Sequence, residues 1–270
     1  MNIPQFNTKK ELFAWLVENK SALIATKKGA VKFADSIESP CILHDEQGEV
    51  IKANVPVSED ISELKIKVVI NTTNLLDNHG DVHIPGLWKK SLRENKNLMH
   101  LQEHEMKFDH IISDRKDLKA YTETVTWKEL GFNYYEGETE ALIFESNVKQ
   151  SRNAEMFREY KAGNVNNHSV GMNYVKILMA VNDKGWPEEF ANWNKYIDQV
   201  VNRATAEEKG YFWPVLEAKI IEGSAVPAGS NWATPTLDNN MKSEPSEDTP
   251  EPGQPTQLTS EEIIKRIKQF

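Results

Sequence analysis

The sequence predicts an α+β protein, because segments with a strand pattern and segments with a helical period follow one another along most of the chain. Leu64–Thr72 is rich in Val and Ile and alternates in part, which indicates a strand. Ser151–Ala162 carries Ala154, Phe157 and Tyr160 at helical spacing. After about residue 237 the composition becomes rich in proline and acidic residues, so the folded body is expected to end there.

The elements before residue 100 begin with a helix. Asn7 or Thr8 can cap it, and Leu12, Phe13, Leu16 and Leu23 keep a roughly helical period. Residues 45–49 contain turn formers, as do residues 77–81, where Gly80 tolerates a positive φ. Residues 87–99 predict a short helix.

The elements after residue 100 include four further strand predictions, at 111–127, 140–148, 168–175 and 215–226. Gly163 stands where the C-terminal cap of the helix over 151–162 is expected. One longer helix is predicted between the last two strands, with a single apolar face made of Phe190, Trp193, Ile197, Val200, Val201 and Ala204.

The predicted organisation has four parts: an N-terminal helical and mixed extension over 1–60, a main domain over 61–236, a disordered linker over 237–258 and a C-terminal helix over 259–270. The linker has four prolines and four acidic residues between Lys242 and Pro255, a composition that cannot bury enough apolar area to order itself. Thr259 and Glu262 have the spacing of a helix start, and Ile263, Ile264 and Ile267 give that helix an apolar edge. A helix of about ten residues is marginal alone, so this edge is expected to dock on a partner or on the body.

Composition excludes several classes of function. The formal net charge of −9 and the pI near 5.4 argue against a general nucleic-acid binder, which needs a basic face. The apolar runs are too short to span a bilayer, and no signal peptide is expected. Cys41 is the single cysteine, so an internal disulfide is excluded. No cofactor is expected.

Two histidine patterns compete for a catalytic role. His100, Glu103 and His104 match H-x-x-E-H, in which two histidines one helical turn apart bind zinc and the glutamate activates water. That motif needs a long helix and a third ligand, whereas the sequence after it turns quickly into a strand pattern. The second pattern combines His104 with Ser169, because a serine followed by Val170 and Gly171 can present its hydroxyl beside open backbone N–H groups.

The order of four sequence blocks resembles that of the tailed-phage prohead maturation proteases. The blocks are Asp77–Leu92, with its D-x-x-G-D and P-G-x-x-x-x-S-L elements; His104 with the Ile111–Ser113 stretch; His168–Met172; and Glu222–Asn231. The chain departs from the family pattern at Ser113, where glycine is usual, and at Ser230, where alanine is usual. The resemblance covers about residues 65–235.

The resemblance implies a fold similar to the herpesvirus assembly proteases, a closed or nearly closed β-barrel with helices around it. Residues 61–236 are then the protease domain, Ser169 is the nucleophile and His104 its general base. Glu222 is the expected third member of the triad, and His110 is its rival because the herpesvirus relatives use a second histidine. His168 is disfavoured as a direct partner, since neighbours on a strand point to opposite faces.

The function expected from this resemblance is a serine endopeptidase that cleaves scaffold and major capsid protein segments inside the immature phage head. It would self-associate, would be made in the host cytoplasm and would be packaged in the head, without nucleic-acid or membrane partners. Two alternatives stay open: a zinc peptidase that uses His100, Glu103 and His104, and a scaffold or capsid-assembly protein that keeps the fold without the chemistry.

Overall fold

The computed structural model of the protein describes residues 3–31 and 61–237. Two short N-terminal helices cover one side of the protein. Helix α1 (Lys9–Glu18) is capped by Thr8, which accepts a hydrogen bond from the Glu11 N–H while the Glu11 carboxylate accepts one from the Thr8 N–H. This reciprocal capping box confirms the predicted helix start and selects Thr8 over Asn7. Helix α2 (Lys20–Gly29) follows after one residue, and both helices bury apolar side chains in the principal core.

The described residues form four further α-helices and ten strands. The helices are α3 (Lys89–Glu94), α4 (Ala154–Lys161), α5 (Pro187–Tyr196) and α6 (Arg203–Lys209). The strands are β1 (Glu63–Thr72), β2 (Asp81–His83), β3 (His100–Gln102), β4 (Ile111–Ser113), β5 (Leu118–Thr126), β6 (Glu138–Lys149), β7 (His168–Ile177), β8 (Ala180–Val181), β9 (Tyr211–Ala225) and β10 (Thr236–Leu237). The α+β class predicted from the sequence is therefore confirmed.

The strands form two sheets. The smaller sheet is antiparallel, with the order β10-β1-β6-β5. The larger sheet is built on β9, which pairs with β7 and β8 along one edge and with β2 and β3 along the other, while β4 extends the sheet beyond β3. Strands β2 and β3 run parallel to β9, and β7 runs antiparallel to it.

The principal core lies between the two sheets and is closed by α1, α2 and α4. Apolar side chains from both sheets meet there, among them Val68, Ile70, Phe144, Val170, Met172 and Ile220. Strand β1 contacts β7 and strand β4 contacts β6, so the sheets approach each other along two sides. The pairing of the described strands leaves two sheets and does not itself close a barrel.

Two helix predictions differ from the structure. The single long helix expected between the last two predicted strands is divided into α5, a 3₁₀ turn at Ile197–Gln199, and α6. Contacts made with distant residues interrupt it: the Val201 N–H donates to Asn74 O, and the Asn202 side chain hydrogen-bonds both the N–H and the C=O of Leu76. The helix predicted over 87–99 is limited to α3, because the chain after Asn95 extends to pair with β9.

All described residues belong to one compact unit, Met1–Asn239, so α1 and α2 share a unit with the main domain. The predicted turn at 45–49, Cys41, the linker over 237–258 and the helix over 259–270 lie outside the described residues, apart from residue 237 at the end of β10. Within 3–31 and 61–237, every helix is too short or too polar to cross a membrane.

Candidate active site

A buried carboxylate and a histidine form the centre of the candidate site. Glu222 lies on β9 with its side chain fully buried, and the His104 side chain, on the turn after β3, is 9% exposed. The His104 Nδ1–H donates to Glu222 Oε1 at 2.6 Å. A carboxylate removed from water needs such a partner, because an isolated buried charge is very unfavourable. The bond also fixes the ring, leaving Nε2 as the nitrogen that would exchange a proton with a substrate or nucleophile.

Gly171 makes room for this carboxylate. It lies opposite Glu222 in the pairing of β7 with β9, and a β-carbon built on it would be 2.0 Å from Glu222 Oε1. The glycine is therefore required by the close approach of the glutamate side chain. The register shifts immediately after this pair, between Gly171 and Met172, and such bulges commonly re-aim side chains beside active sites.

Ser169 lies on the same face of the sheet as Glu222. Side chains alternate along a strand, so Ser169 shares its face with Gly171, and the pairing of Ser169 with Ser224 puts both serines beside the glutamate. Ser169 is 7% exposed. Among the described residues no hydrogen bond joins its hydroxyl to His104, and catalytic hydrogen bonds are often long before substrate binds.

His104 is held on a strained turn at the end of β3. Both Glu103 and His104 have left-handed backbones, with φ values of 52° and 60°. The Glu103 N–H donates to Ala225 O, and the His104 N–H donates to Ser224 Oγ at 3.1 Å. The turn is thus attached to β9 at two successive positions.

The contact between Ser224 and His104 was not predicted from the sequence. The Ser224 hydroxyl accepts from the His104 N–H and donates to Glu222 Oε2 at 2.5 Å, and the residue is fully buried. The signal for it was present, because residues two apart on a strand share a face and the chain reads Glu222-Gly223-Ser224. Partnership with His104, however, depends on a long-range pairing of β3 with β9.

His100 and His168 lie on the opposite face of the large sheet, in the principal core. The His168 Nδ1–H donates to Thr234 O at 2.9 Å, which leaves its Nε2 to accept from the Tyr160 hydroxyl at 3.0 Å. Tyr160 then accepts from His100 Nε2–H at 3.2 Å, and His100 Nδ1 accepts from the Ser146 hydroxyl at 2.9 Å. One continuous chain of hydrogen bonds satisfies both neutral imidazoles.

Burial lowers the pKa values of both core histidines. The pKa of His168 falls to about 4, and burial together with the nearby His168 lowers the pKa of His100 well below its usual range. Burial likewise raises the pKa of the Tyr160 hydroxyl. These groups are neutral and structural at pH 7, in agreement with the prediction that His168 is no direct partner of the nucleophile.

The zinc arrangement is not formed. His100 is on strand β3 and Glu103 and His104 are on the turn after it, so no helix presents the two histidine rings on one face. Their ring nitrogens hydrogen-bond different elements, Ser146 and Tyr160 for His100 and Glu222 for His104. The helix that this motif needs is replaced by a strand, because residues 100–102 pair with β9.

His110 lies on a 3₁₀ turn next to β4, and its Nδ1 pairs with the neighbouring Asp109 at 3.0 Å. The structure therefore brings Glu222, and not His110, to the Nδ1 of His104.

A second buried cluster contains Asp77, Asp81 and His83, whose potential ligand atoms lie within 4.8 Å of one another. Lys27 of α2 pairs with Asp81 at 2.7 Å, and the Tyr174 hydroxyl donates to the same carboxylate. The cluster thus ties α2 to β2 and β7. The positive φ of Gly80 is consistent with the turn predicted over residues 77–81.

Comparison with known proteins adds no relative. No family model, curated protein or solved structure matches this chain.

Proposed function

We propose that the protein is a serine endopeptidase in which Ser169 is the nucleophile, His104 the general base and Glu222 the residue that orients the imidazole. The observation that carries this proposal is the 2.6 Å hydrogen bond from His104 Nδ1 to the fully buried Glu222, beside a serine on the same sheet face. A histidine that is oriented by a carboxylate through one nitrogen can take the proton of a nearby serine through the other, which is how a triad activates a hydroxyl.

In the proposed reaction, Ser169 Oγ attacks the peptide carbonyl while His104 Nε2 takes its proton. Glu222 stabilises the imidazolium that forms. The C–N bond then breaks as His104 gives the proton to the leaving amine, and an ester links the acyl group to Ser169. Water, deprotonated by His104, hydrolyses that ester and restores the serine.

The oxyanion that forms during attack needs hydrogen-bond donors. The sequence points to the N–H groups of Val170 and Gly171, but both residues pair with β9, and alternate N–H groups of a strand point to opposite edges. One of the two can therefore serve, and a second donor must come from another segment. The N–H groups of Glu103, His104 and Glu105 all donate within the fold and are excluded from this role.

The biological role proposed is maturation of a phage prohead, with scaffold and major capsid protein segments as substrates. The support is the order of the four blocks that resemble the prohead proteases, together with the two-sheet body whose β1–β7 and β4–β6 approaches suit a nearly closed barrel similar to the herpesvirus assembly proteases. Self-association, synthesis in the host cytoplasm and packaging inside the immature head belong to the same proposal.

Covalent labelling tests the chemistry without knowledge of the substrate. An alkyl fluorophosphonate should form an Oγ–P bond at Ser169 with loss of fluoride and transfer of the serine proton to His104. We expect labelling of the wild type, none in Ser169→Ala, and normal labelling in Ser113→Ala, a control whose buried hydroxyl has no hydrogen-bond partner among the described residues.

Incubation with the cognate capsid protein, followed by mass spectrometry of new termini, tests the substrate class. Cleavage by wild type and not by Ser169→Ala supports the proposal. Absence of both labelling and cleavage, with normal head assembly in Ser169→Ala, would instead favour the scaffold protein without chemistry. Cleavage that a chelator abolishes and the fluorophosphonate leaves intact would favour a metallopeptidase.

A further inference from the structure

Ser224 lies between the backbone and the side-chain partner of His104. Its Oγ accepts from the His104 N–H at 3.1 Å and donates to Glu222 Oε2 at 2.5 Å, while Glu222 Oε1 accepts from His104 Nδ1. The three residues close a ring of hydrogen bonds in which one strand, β9, holds the histidine by both its main chain and its imidazole. Ser224 is fully buried, so water does not compete for these hydrogen bonds.

The turn that carries His104 needs such an attachment. Two consecutive non-glycine residues, Glu103 and His104, have left-handed backbones. That conformation is unfavourable for residues with a β-carbon and persists where the surrounding structure imposes it. The bond from the His104 N–H to Ser224 Oγ holds the second of these residues at the place where its ring meets Glu222.

We propose that Ser224 is a positioning residue of the active site. It fixes both the rotation of the Glu222 carboxylate and the position of the His104 backbone. This inference rests on the proposed function. The serine proton is directed to Oε2, so Oε1 is the oxygen turned to Nδ1. A carboxylate held by two donors is fixed in its rotation, as an orienting residue must be.

Ser224 is not arranged as a second nucleophile. Its proton is donated to the carboxylate, one of its lone pairs accepts the His104 N–H, and the residue is 0% exposed compared with 7% for Ser169. A nucleophile must instead give its proton to the imidazole and face the substrate. Peptide mapping of the fluorophosphonate adduct therefore should find Ser169 alone, and an adduct on Ser224 would overturn the assignment.

The test compares Ser224→Ala with Ser113→Ala, which removes a hydroxyl from another buried strand serine. Displacing catalytic groups by about 1 Å can lower the rate about 10²-fold. We expect the maximal rate of fluorophosphonate labelling to fall by about that factor in Ser224→Ala, with an unchanged half-saturating probe concentration. Ser113→Ala should retain the wild-type rate, and Ser224→Cys, whose thiol is a weaker donor, should lie between.

A spectroscopic readout separates this inference from the proposed function. The His104 Nδ1–H should give a low-field proton NMR signal that is missing in His104→Ala and protected from exchange by the buried carboxylate. We expect Ser224→Ala to broaden or abolish this signal, whether or not the wild type labels. A wild type that never labels refutes the proposed function alone, whereas an unchanged signal and labelling rate in folded Ser224→Ala or Ser224→Cys overturns the role of Ser224.

Discussion

Substitution of Gly171 by alanine should separate the Glu222 carboxylate from the His104 imidazole. A β-carbon at this position would lie 2.0 Å from Glu222 Oε1, 3.0 Å from Cδ and 3.2 Å from Cγ, whereas ordinary contacts begin near 3.4 Å. The carboxylate oxygen must therefore move by about 1.4 Å, because the backbone on both sides is fixed by the β7–β9 ladder. A shift of that size breaks the 2.6 Å bond to His104.

The expected consequences of Gly171→Ala are large for activity and moderate for stability. Loss of the orienting carboxylate leaves the imidazole with a choice of tautomer and position, which lowers activity about 10²–10⁴-fold in comparable triads. Overpacking costs about 1–3 kcal/mol, which a folded domain tolerates. The labelling rate and the urea midpoint, measured on the same samples, separate the two effects.

Two other glycines provide controls. Gly29, at the end of α2, has nothing within 4 Å of a built β-carbon, so Gly29→Ala should label normally and keep the wild-type midpoint. Gly223 faces the core, where a β-carbon would lie 2.6 Å from Phe144, so Gly223→Ala should lose stability with less effect on labelling. A Gly171→Ala protein that labels at the wild-type rate would refute the packing argument and the role of Glu222.

Three further predictions concern the triad and the buried charges. Ser169→Ala and His104→Ala should each lower the cleavage rate by several orders of magnitude, and the double variant should cleave little more slowly, because triad members act as a unit. Since the pKa of His168 is lowered to about 4 in the folded state, the unfolded chain binds a proton first as pH falls. Stability should therefore drop by about 1.4 kcal/mol per pH unit from this group as the pH falls from about 6.5 to 4. His168→Asn should weaken the pH dependence of the urea midpoint across that window without abolishing it, because burial lowers the pKa of His100 as well. Lys27→Met should lower the free energy of unfolding by about 3 kcal/mol by removing the ammonium from the fully buried Asp81 carboxylate. Arg203→Met, which removes the exposed pairs with Asp198 and Glu207, should change stability much less.

The elements of the fold that depend on local pattern could be predicted from the sequence. The start of α1 follows from Thr8 and Glu11, and β1, β6 and β9 follow from their strand composition. The interruption between α5 and α6 could not, because its cause is a set of hydrogen bonds from Val201 and Asn202 to residues more than a hundred positions away.

The helix that the H-x-x-E-H pattern requires could not be judged from the sequence for a related reason. Three matching letters fit a helix as well as a strand, and the pairing of β3 with β9, which makes the segment extended, is invisible in the local sequence. Once β3 is a strand, His100 turns to the core and hydrogen-bonds Tyr160, while the chain beyond Gln102 turns back and presents His104 to the other face.

The candidate site illustrates what a glycine can reveal about its neighbour across a sheet. In the sequence, Gly171 suggested open backbone N–H groups beside Ser169, but the structure assigns it a different purpose, which is to admit the Glu222 side chain over β7. The same pairing places Ser169 beside Ser224. One antiparallel register therefore accounts for the positions of Ser169, Gly171 and Glu222, and of Ser224, which accepts the His104 N–H. A shift of that register by one residue would send Glu222 into the core and Gly223 to the site, because strand neighbours face opposite sides. The chemistry proposed for this protein therefore depends on the β7–β9 register as much as on the identity of any one catalytic side chain.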